Sequence, residues 1–544
     1  MREPTAIRPP SQISHKSGED LFIGAPRYYL TLTAFVSGVV SLALELSAGR
    51  LLAPAFGTTE IVWSAIIGLI MLYLSAGYMI GGKWADKSPH PSTLYTILVG
   101  AGCFIALIPI GSRPLLKLAV EGMRVWDLGL LAGPFVVILG LFAVPVTLLA
   151  SISPFIIRLS MHNVSTSGGT SGRIYAISTA GSFIGTFLPN LVLIPNLGTW
   201  RTFIVLAAVC VLTGLGGLWS VHRKRFWALI LMLPLLVLLF IAKPVTLKNQ
   251  EGLLFEGEST YNFIQVVEDT SQRRYLLLNE GQGIHSIYTP PSQYASPDNA
   301  DRLLTYGPWD NFLIAPFFNT APFFPTDVKN MLIIGLAAGT TSTQATMIFG
   351  PLPIDGIEID PMIVETGRKY FDMNQRNLIV HITDGMTFLD TTQSQYSLIV
   401  IDSYRLPYIP WHLTTVEFFH QVYDHLDDTG VIAINVGHTV EDWRLVDGIA
   451  NTMRKVYTTV HIINIEGSLN AVLVGTLRPT NETNLTENLS HIEDNRLLSI
   501  AEKAIPNLRS PGFSALVFTD DHAPIEQISH EVALQYILGS DTNR

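Results

Sequence analysis

The sequence predicts a polytopic α-helical membrane domain followed by a Rossmann-like α/β domain with a small leading β-sheet. Composition is the first reason. Across 544 residues the chain is 48% hydrophobic and 14% charged, with a mean hydropathy of +0.35, too apolar for an ordinary soluble protein. Position is the second: the long apolar runs end near residue 243, and most carboxylates come after residue 250. Rhythm is the third, because from residue 330 short apolar strand patterns alternate with helical ones, the order of an open, doubly wound sheet. The expected division is a tail at 1–27, membrane helices over 28–243, a small β-rich unit with its linker over 252–326, and the α/β domain over 327–544.

Spanning a hydrocarbon core of about 30 Å takes roughly 20 apolar residues of helix. Seven segments qualify: 28–50, 61–82, 93–112, 128–158, 173–196, 200–220 and 226–243. The first starts too far from Met1 and lacks a small-residue cleavage site, so it is read as a retained span rather than a signal peptide. The tail and the loops carrying Lys83, Lys87, Arg158, Arg173, Arg223, Lys224 and Arg225 hold more positive charge than the alternate loops, which favours a cytoplasmic N-terminus. Seven spans would then place the soluble domain on the opposite side. The cytoplasmic cofactor argued for below calls for one span fewer or more, and the long run 128–158 is the expected place of the miscount.

Glu45 and Arg50, in "LALELSAGRLLAP", put ionisable groups in or beside the first span. Such groups face a partner or a cavity, which leaves open a transporter or sensor with a catalytically silent nucleoside-binding domain, beside a plain intramembrane ion pair. Cys103 and Cys210 both sit in apolar runs, so neither a disulfide framework nor a Cys-rich metal site is expected. The net charge of −10 offers no basic face for nucleic acid.

The soluble half begins with "TYNFIQVVED" and "RRYLLLNEG", a hairpin of the leading sheet. "NMLIIGLAAGTTSTQATMIFG" follows as strand, glycine turn and helix. "IDGIEID" is a second strand, "PMIVETGRKYF" a helix, "LIVHITDG" a third strand and "YSLIVIDS" a fourth. "TVEFFHQVYDHL" and "GVIAINVG" add a helix and a fifth strand. In such a sheet, ligands bind beyond the carboxyl ends of the strands. Gly335 and Gly339 shape the first turn, Glu358 is placed for both ribose hydroxyls, Asp384 with Gly385 for an adenine edge, and Asp402 ends the fourth strand. Any one of these alone could be a turn or cap residue, and Asp384 before Gly385 would make an ordinary turn. The order of all of them points to a nucleoside-type ligand. The absence of a Gly-Lys-Ser/Thr cradle in "GLAAGT" speaks against a nucleoside triphosphate.

The leading hairpin, "LIIGLAAGT", "GIEIDP", "ITDGMTFL", "LIVIDS" and "TTVEFF" together resemble the spermidine synthase, or polyamine aminopropyltransferase, family. The fused apolar half, with "ELSAGRLLAPAFG" and "PYIPWHLTTVEFF", resembles its membrane-attached branch. The resemblance implies a transferase that moves an aminopropyl group from decarboxylated S-adenosylmethionine to an amine such as putrescine, with methylthioadenosine released. The donor is a substrate; no tightly bound cofactor and no metal are implied. Asp402 matches the family's acceptor-activating acid. Tyr261 and Asn262 match its Tyr-Gln pair, which adds Asn262 to the donor-binding set.

Three departures matter. Ala338 stands where the family's glycine turn carries an acid, Arg405 stands in place of a second acid after Asp402, and "YGPWDNF" replaces a Tyr-His-Glu segment. Asp310 or the "FTDDHAPIE" segment, with Asp520, Asp521 and Glu526, could return negative charge to the pocket. Arg405 could instead hold a carboxylate, which would favour methyl transfer from intact S-adenosylmethionine, or it could pair with a neighbouring acid. The acceptor-site candidates are thus Tyr261, Tyr404, Arg405, Asp310 and Asp521. His412 reads as a packed loop residue, and the polar segment 478–495 as a surface loop. The expected partners are a small-molecule amine and the lipid bilayer, a homodimer is left open, and the soluble domain is expected in the cytoplasm.

Overall fold

The computed structural model describes residues 27–56, 60–126, 132–161, 167–242, 251–279, 283–403, 409–512, 514, 516–529 and 531. The N-terminal half is all helix: α1 (Arg27–Phe56), α2 (Glu60–Lys87), α3 (Pro91–Trp126), α4 (Ala132–Ser160), α5 (Ser167–Leu188), α6 (Ile194–Val221), α7 (Arg223–Leu229) and α8 (Met232–Ile241), with a π turn at Pro189–Leu193 joining α5 to α6. Six stretches are long and apolar enough to cross a membrane, by length and composition. Many of their outward side chains are large and apolar, among them Met71, Met79, Leu139, Phe183 and Leu238, the surface a hydrocarbon solvent calls for and water does not.

Small residues let these helices touch backbone to backbone. A methyl group built on Gly181 or Gly185 of α5 would lie 2.2 Å from the Phe35 or Val39 carbonyl oxygen of α1. One on Gly77 of α2 would lie 2.5 Å from the Thr147 oxygen of α4.

One of the six stretches, Ser167–Val221, runs for 55 residues. Straight, it would measure about 80 Å. Instead it turns back at Gly198, whose φ of 77° interrupts the helix. Thr199, just past the break, bonds the first strand of the soluble half, whereas Thr213 of α6 receives the Tyr29 hydroxyl at the far end, where α1 begins. The stretch is therefore two legs, matching the segments 173–196 and 200–220 read from sequence. The run 128–158, expected to hide the miscount, contains a single helix, α4, over its described residues. The described residues thus form seven legs. Lys83, Lys87, Arg158, Arg173 and Arg223–Arg225 all lie at the ends of legs remote from the α/β domain.

The leading sheet is a four-stranded antiparallel meander of β1 (Leu253–Glu258), β2 (Phe263–Glu268), β3 (Arg274–Leu278) and β4 (Ile284–Tyr288), two strands more than the hairpin alone. A short helix α9 (Pro308–Ile314) leads to the main domain. There β5 (Met331–Ile334), α10 (Thr340–Phe349), β6 (Ile354–Glu358), α11 (Pro361–Tyr370), β7 (Leu378–Ile382), α12 (Gly385–Thr391), β8 (Tyr396–Ile401), α13 (Val416–Asp424), β9 (Leu426–Gly437) and α14 (Arg444–Met453) follow in turn. β10 (Thr459–Asn464), β11 (Asn470–Thr476) and β12 (Leu508–Arg509) complete an eight-stranded sheet of order β12-β10-β11-β9-β8-β5-β6-β7. The strands β7-β6-β5-β8-β9 are parallel, and β9-β11-β10-β12 are antiparallel. Nearly every residue of β5, β8 and β9 is buried, as a sheet covered on both faces requires.

The chain leaves β5 for β6 on one side and returns to β8 on the other, so the switch point that receives ligands in such folds lies between β5 and β8. The segment 478–495, expected as a surface loop, instead holds a helix over Glu482–Asn488 capped by Asn481. Asn488 is fully buried and binds the Phe317 and Asn319 carbonyl oxygens and the Phe323 amide. Most of the segment stays exposed, while Asn481 caps the helix and Asn488 bonds the backbone inside.

Candidate active site

Gly335 and Asp402 meet at the switch point. Gly335 has φ +89°, and a methyl group added there would lie 2.6 Å from the Asp402 carbonyl oxygen. Only glycine meets both demands at low cost. The Asp402 amide donates to the Ile334 oxygen at 2.8 Å, which locks the acid to the turn.

The Asp402 carboxylate is held from two sides. Trp309 Nε1 donates to Oδ2 at 2.9 Å and Asn435 Nδ2 donates to Oδ1 at 2.9 Å. Burial pushes its pKa up to about 7, against the lowering effect of the Asn435 and Trp309 hydrogen bonds. Such a group changes charge near neutrality, which suits an acid poised to take or pass a proton. Asn435 Oδ1 is buried with no partner, so beside the acid sits an acceptor free for an N–H donor.

Glu358, at the end of β6, accepts from the Ala337 amide at 2.9 Å and from the Asp360 amide at 3.0 Å. Burial raises its pKa to about 7 in spite of these bonds. Gly339 precedes α10 in a left-handed conformation. Asp384 caps α12 through the Met386 and Thr387 amides, with His412 Nε2 3.6 Å from its other oxygen. His412 in turn is the main cause that holds the Asp384 carboxyl below the usual range. Asp384 is thus a helix cap whose second oxygen faces His412. Gly385 opens α12, and a methyl group there would press on Ile334.

The other predicted residues are spread out. Asn262 is committed to protein partners: Nδ2 donates to Asp360 Oδ2 at 3.0 Å, and Oδ1 accepts from Asn279. Tyr261 is 38% exposed beside it. Asp310 is buried, and its oxygens accept from the Thr305 amide and hydroxyl, the Tyr306 amide and Gln344. These bonds organise the loop before α9 and engage both of its oxygens. Asp520 and Asp521 lie exposed in a turn, where the Asp520 amide donates to Glu417. Tyr404 and Arg405 lie outside the described residues. Ala338, in the position of the missing acid, is packed in an apolar cluster with Ile264, Ile363 and Phe371.

Sequence reasoning missed Trp309, Asn435 and Asp360. A signal existed for two of them: Asn435 is the polar interruption of the apolar strand "GVIAINVG", and Asp360 before Pro361 is a helix-cap pattern. Trp309 reaches Asp402 across 93 residues, and nothing local marks it.

Residues 319–477 match the family described as the spermine/spermidine synthase domain. Over these residues the chain is similar to the spermidine synthase family. It is 25% identical over 315 residues, 53% of this chain and 65% of the relative, to a probable polyamine aminopropyl transferase of Bifidobacterium longum. It is 26% identical over 215 residues, 38% of this chain and 66% of the relative, to a polyamine aminopropyltransferase of Vibrio vulnificus. Over 193 residues, 34% of this chain and 26% of the relative, it is 25% identical to an eEF1A lysine and N-terminal methyltransferase of Mus musculus. The matches span just under two thirds of the two aminopropyltransferases. A crystal structure of a probable spermidine synthase from Corynebacterium glutamicum aligns with a TM-score of 0.36 and 18% identity, over 49% of this chain and 99% of that one.

Proposed function

We propose that this protein is a multi-pass membrane transferase that moves an aminopropyl group from decarboxylated S-adenosylmethionine to an amine such as putrescine. The observation that carries the proposal is Asp402: an acid at the switch point, locked against Gly335, with a pKa near 7 set by burial and two hydrogen bonds. The similarity to that family supports the same reading.

An alkylammonium has a pKa near 10 and no lone pair to attack with. Asp402 accepts one N–H proton, directly or through water, while the orphan acceptor of Asn435 orients another N–H. The freed lone pair attacks the methylene carbon next to the sulfonium, the C–S bond breaks with its electrons going to sulfur, and neutral methylthioadenosine leaves. Glu358 is the ribose partner and Asp384 the adenine partner, with Gly335 and Gly339 shaping the turn beneath them. Desolvation by the buried walls favours this step, because an attacking amine must be stripped of water.

The test is calorimetry of decarboxylated S-adenosylmethionine, intact S-adenosylmethionine and methylthioadenosine on the full-length protein and on Asp402→Asn. The decarboxylated donor should bind more tightly than the intact one, and Asp402→Asn should keep donor binding while turnover drops by about 10²- to 10⁴-fold. No binding by any of the three would overturn the proposal. A second reading, methyl transfer from intact S-adenosylmethionine, is favoured by Ala338, whose apolar surroundings offer no acid for the donor's amino group. It predicts the reverse order of affinities.

A further inference from the structure

The helical half and the leading sheet share a polar contact, and that contact leads toward the proposed donor site. Thr199 is the first residue after the Gly198 break, so its amide is one of the unpaired donors at a helix start. Glu258, the last residue of β1, supplies the acceptor: the Thr199 amide donates to Oε2 at 3.1 Å and the Thr199 hydroxyl to Oε1 at 2.5 Å. The Arg50 guanidinium of α1 acts on the same carboxylate electrostatically. One side chain of the leading sheet is thus held by two different helices.

The next residue carries the contact onward. Ser259 Oγ donates to Asp360 Oδ2 at 2.5 Å and accepts from the Tyr261 and Asn262 amides at 3.0 and 2.9 Å. Asn262 Nδ2 reaches the same Asp360 oxygen. The Asp360 amide then donates to Glu358 Oε1 at 3.0 Å. From α6 each link to the acid proposed for the ribose is a hydrogen bond or a covalent neighbour, and α1 adds the charge of Arg50.

We infer that Glu258 is a positioning residue through which the helical half sets the affinity of the donor site. It acts by fixing the turn Ser259–Asn262 and, through Asp360, the orientation of Glu358. The inference rests on the reading that an S-adenosyl nucleoside binds at Glu358. It gives the helices a role toward the α/β domain beyond anchoring it, because the turn that braces Asp360 directly follows the residue they hold.

The experiment uses the full-length protein in nanodiscs with three variants, Glu258→Gln, Thr199→Val and Thr199→Ser. Methylthioadenosine affinity and donor KM should weaken about two- to thirtyfold in Glu258→Gln and Thr199→Val, with kcat nearly unchanged because Asp402 is untouched. Thr199→Ser, which keeps the hydroxyl, should behave as wild type. Amide exchange, which needs no ligand, should quicken at residues 259–262 and 358–362 in the first two variants only. Wild-type affinity together with unchanged exchange in both would overturn the inference. Failure of the wild type to bind methylthioadenosine would instead overturn the donor reading, and the exchange comparison would still decide whether the clamp orders the turn. Thr199→Val removes one hydroxyl and no charge, so it remains informative if Glu258→Gln folds poorly.

Discussion

Trp309→Phe is the sharpest probe of the acid. The substitution keeps the aromatic bulk and removes one N–H, the donor 2.9 Å from Asp402 Oδ2. A hydrogen bond to a charged group contributes about 1.5–3 kcal/mol, and about 1.4 kcal/mol corresponds to one pKa unit. Loss of the indole donor should therefore raise the Asp402 pKa from about 7 by roughly one to two units. At pH 7.5 the ionised fraction would fall from about three quarters to between a quarter and a few per cent, so activity should drop about three- to twenty-five-fold. It should recover above about pH 9. The assay is kcat/KM against pH from about 5.5 to 10 for wild type and variant with the same amine, so that the amine's own ionisation cancels in the ratio. An acid limb that stays in place while the plateau falls would refute the reasoning, because Trp309 would then not be holding the ionised form.

Gly335→Ala combines a left-handed backbone with a methyl group 2.6 Å from the Asp402 oxygen, and should cost about 2–5 kcal/mol in chemical denaturation along with most of the turnover. Asn488→Ala strands the Phe323 amide and the Phe317 and Asn319 carbonyl oxygens inside the domain; a loss of about 3 kcal/mol, with donor affinity unchanged, is expected. Asp402 and Glu358 ionise near 4 when unfolded and near 7 when folded, so the folded state binds more protons between those values. Their contribution is present below about pH 4 and is lost as pH rises through 7. Asp402→Asn, which cannot ionise, should accordingly gain thermal stability relative to wild type on going from pH 5 to pH 8. A difference in melting temperature that does not change with pH would count against it.

The strand-end pattern was readable because each acid follows an apolar run whose length and order set the sheet, and Gly335, Glu358, Asp384 and Asp402 each lie where that order puts them. What stayed hidden is lateral. Trp309 and Asn435 reach Asp402 from elements 93 and 33 residues away, and hydrogen bonds between distant side chains leave no periodic trace. Asp310 and Asn262 resemble ligand-facing residues by type, yet buried polar groups must be satisfied, and backbone amides and neighbouring amides engage them. The segment 478–495 lies at the surface as its polarity predicts, but its Asn484 and Asn488 are buried and a helix forms over Glu482–Asn488. Six apolar stretches are long enough to cross a membrane, the fold-back at Gly198 makes two legs of one of them, and the run 128–158 holds the single helix α4 over its described residues.

An odd number of legs has a bookkeeping consequence for the cell. Set across a bilayer, seven such legs would put the start of α1 and the contact at Glu258 on opposite faces. The lysine- and arginine-bearing ends gather on the face where α1 begins, the face that positive charge normally assigns to the cytoplasm. A cleft on the outer face would draw on nucleoside and amine that have left the cell, and its methylthioadenosine would be shed outside. Fusing a compartment-sensitive reporter to each end gives opposite signals for this architecture, and the sign of the pair states which pool of substrates the enzyme sees.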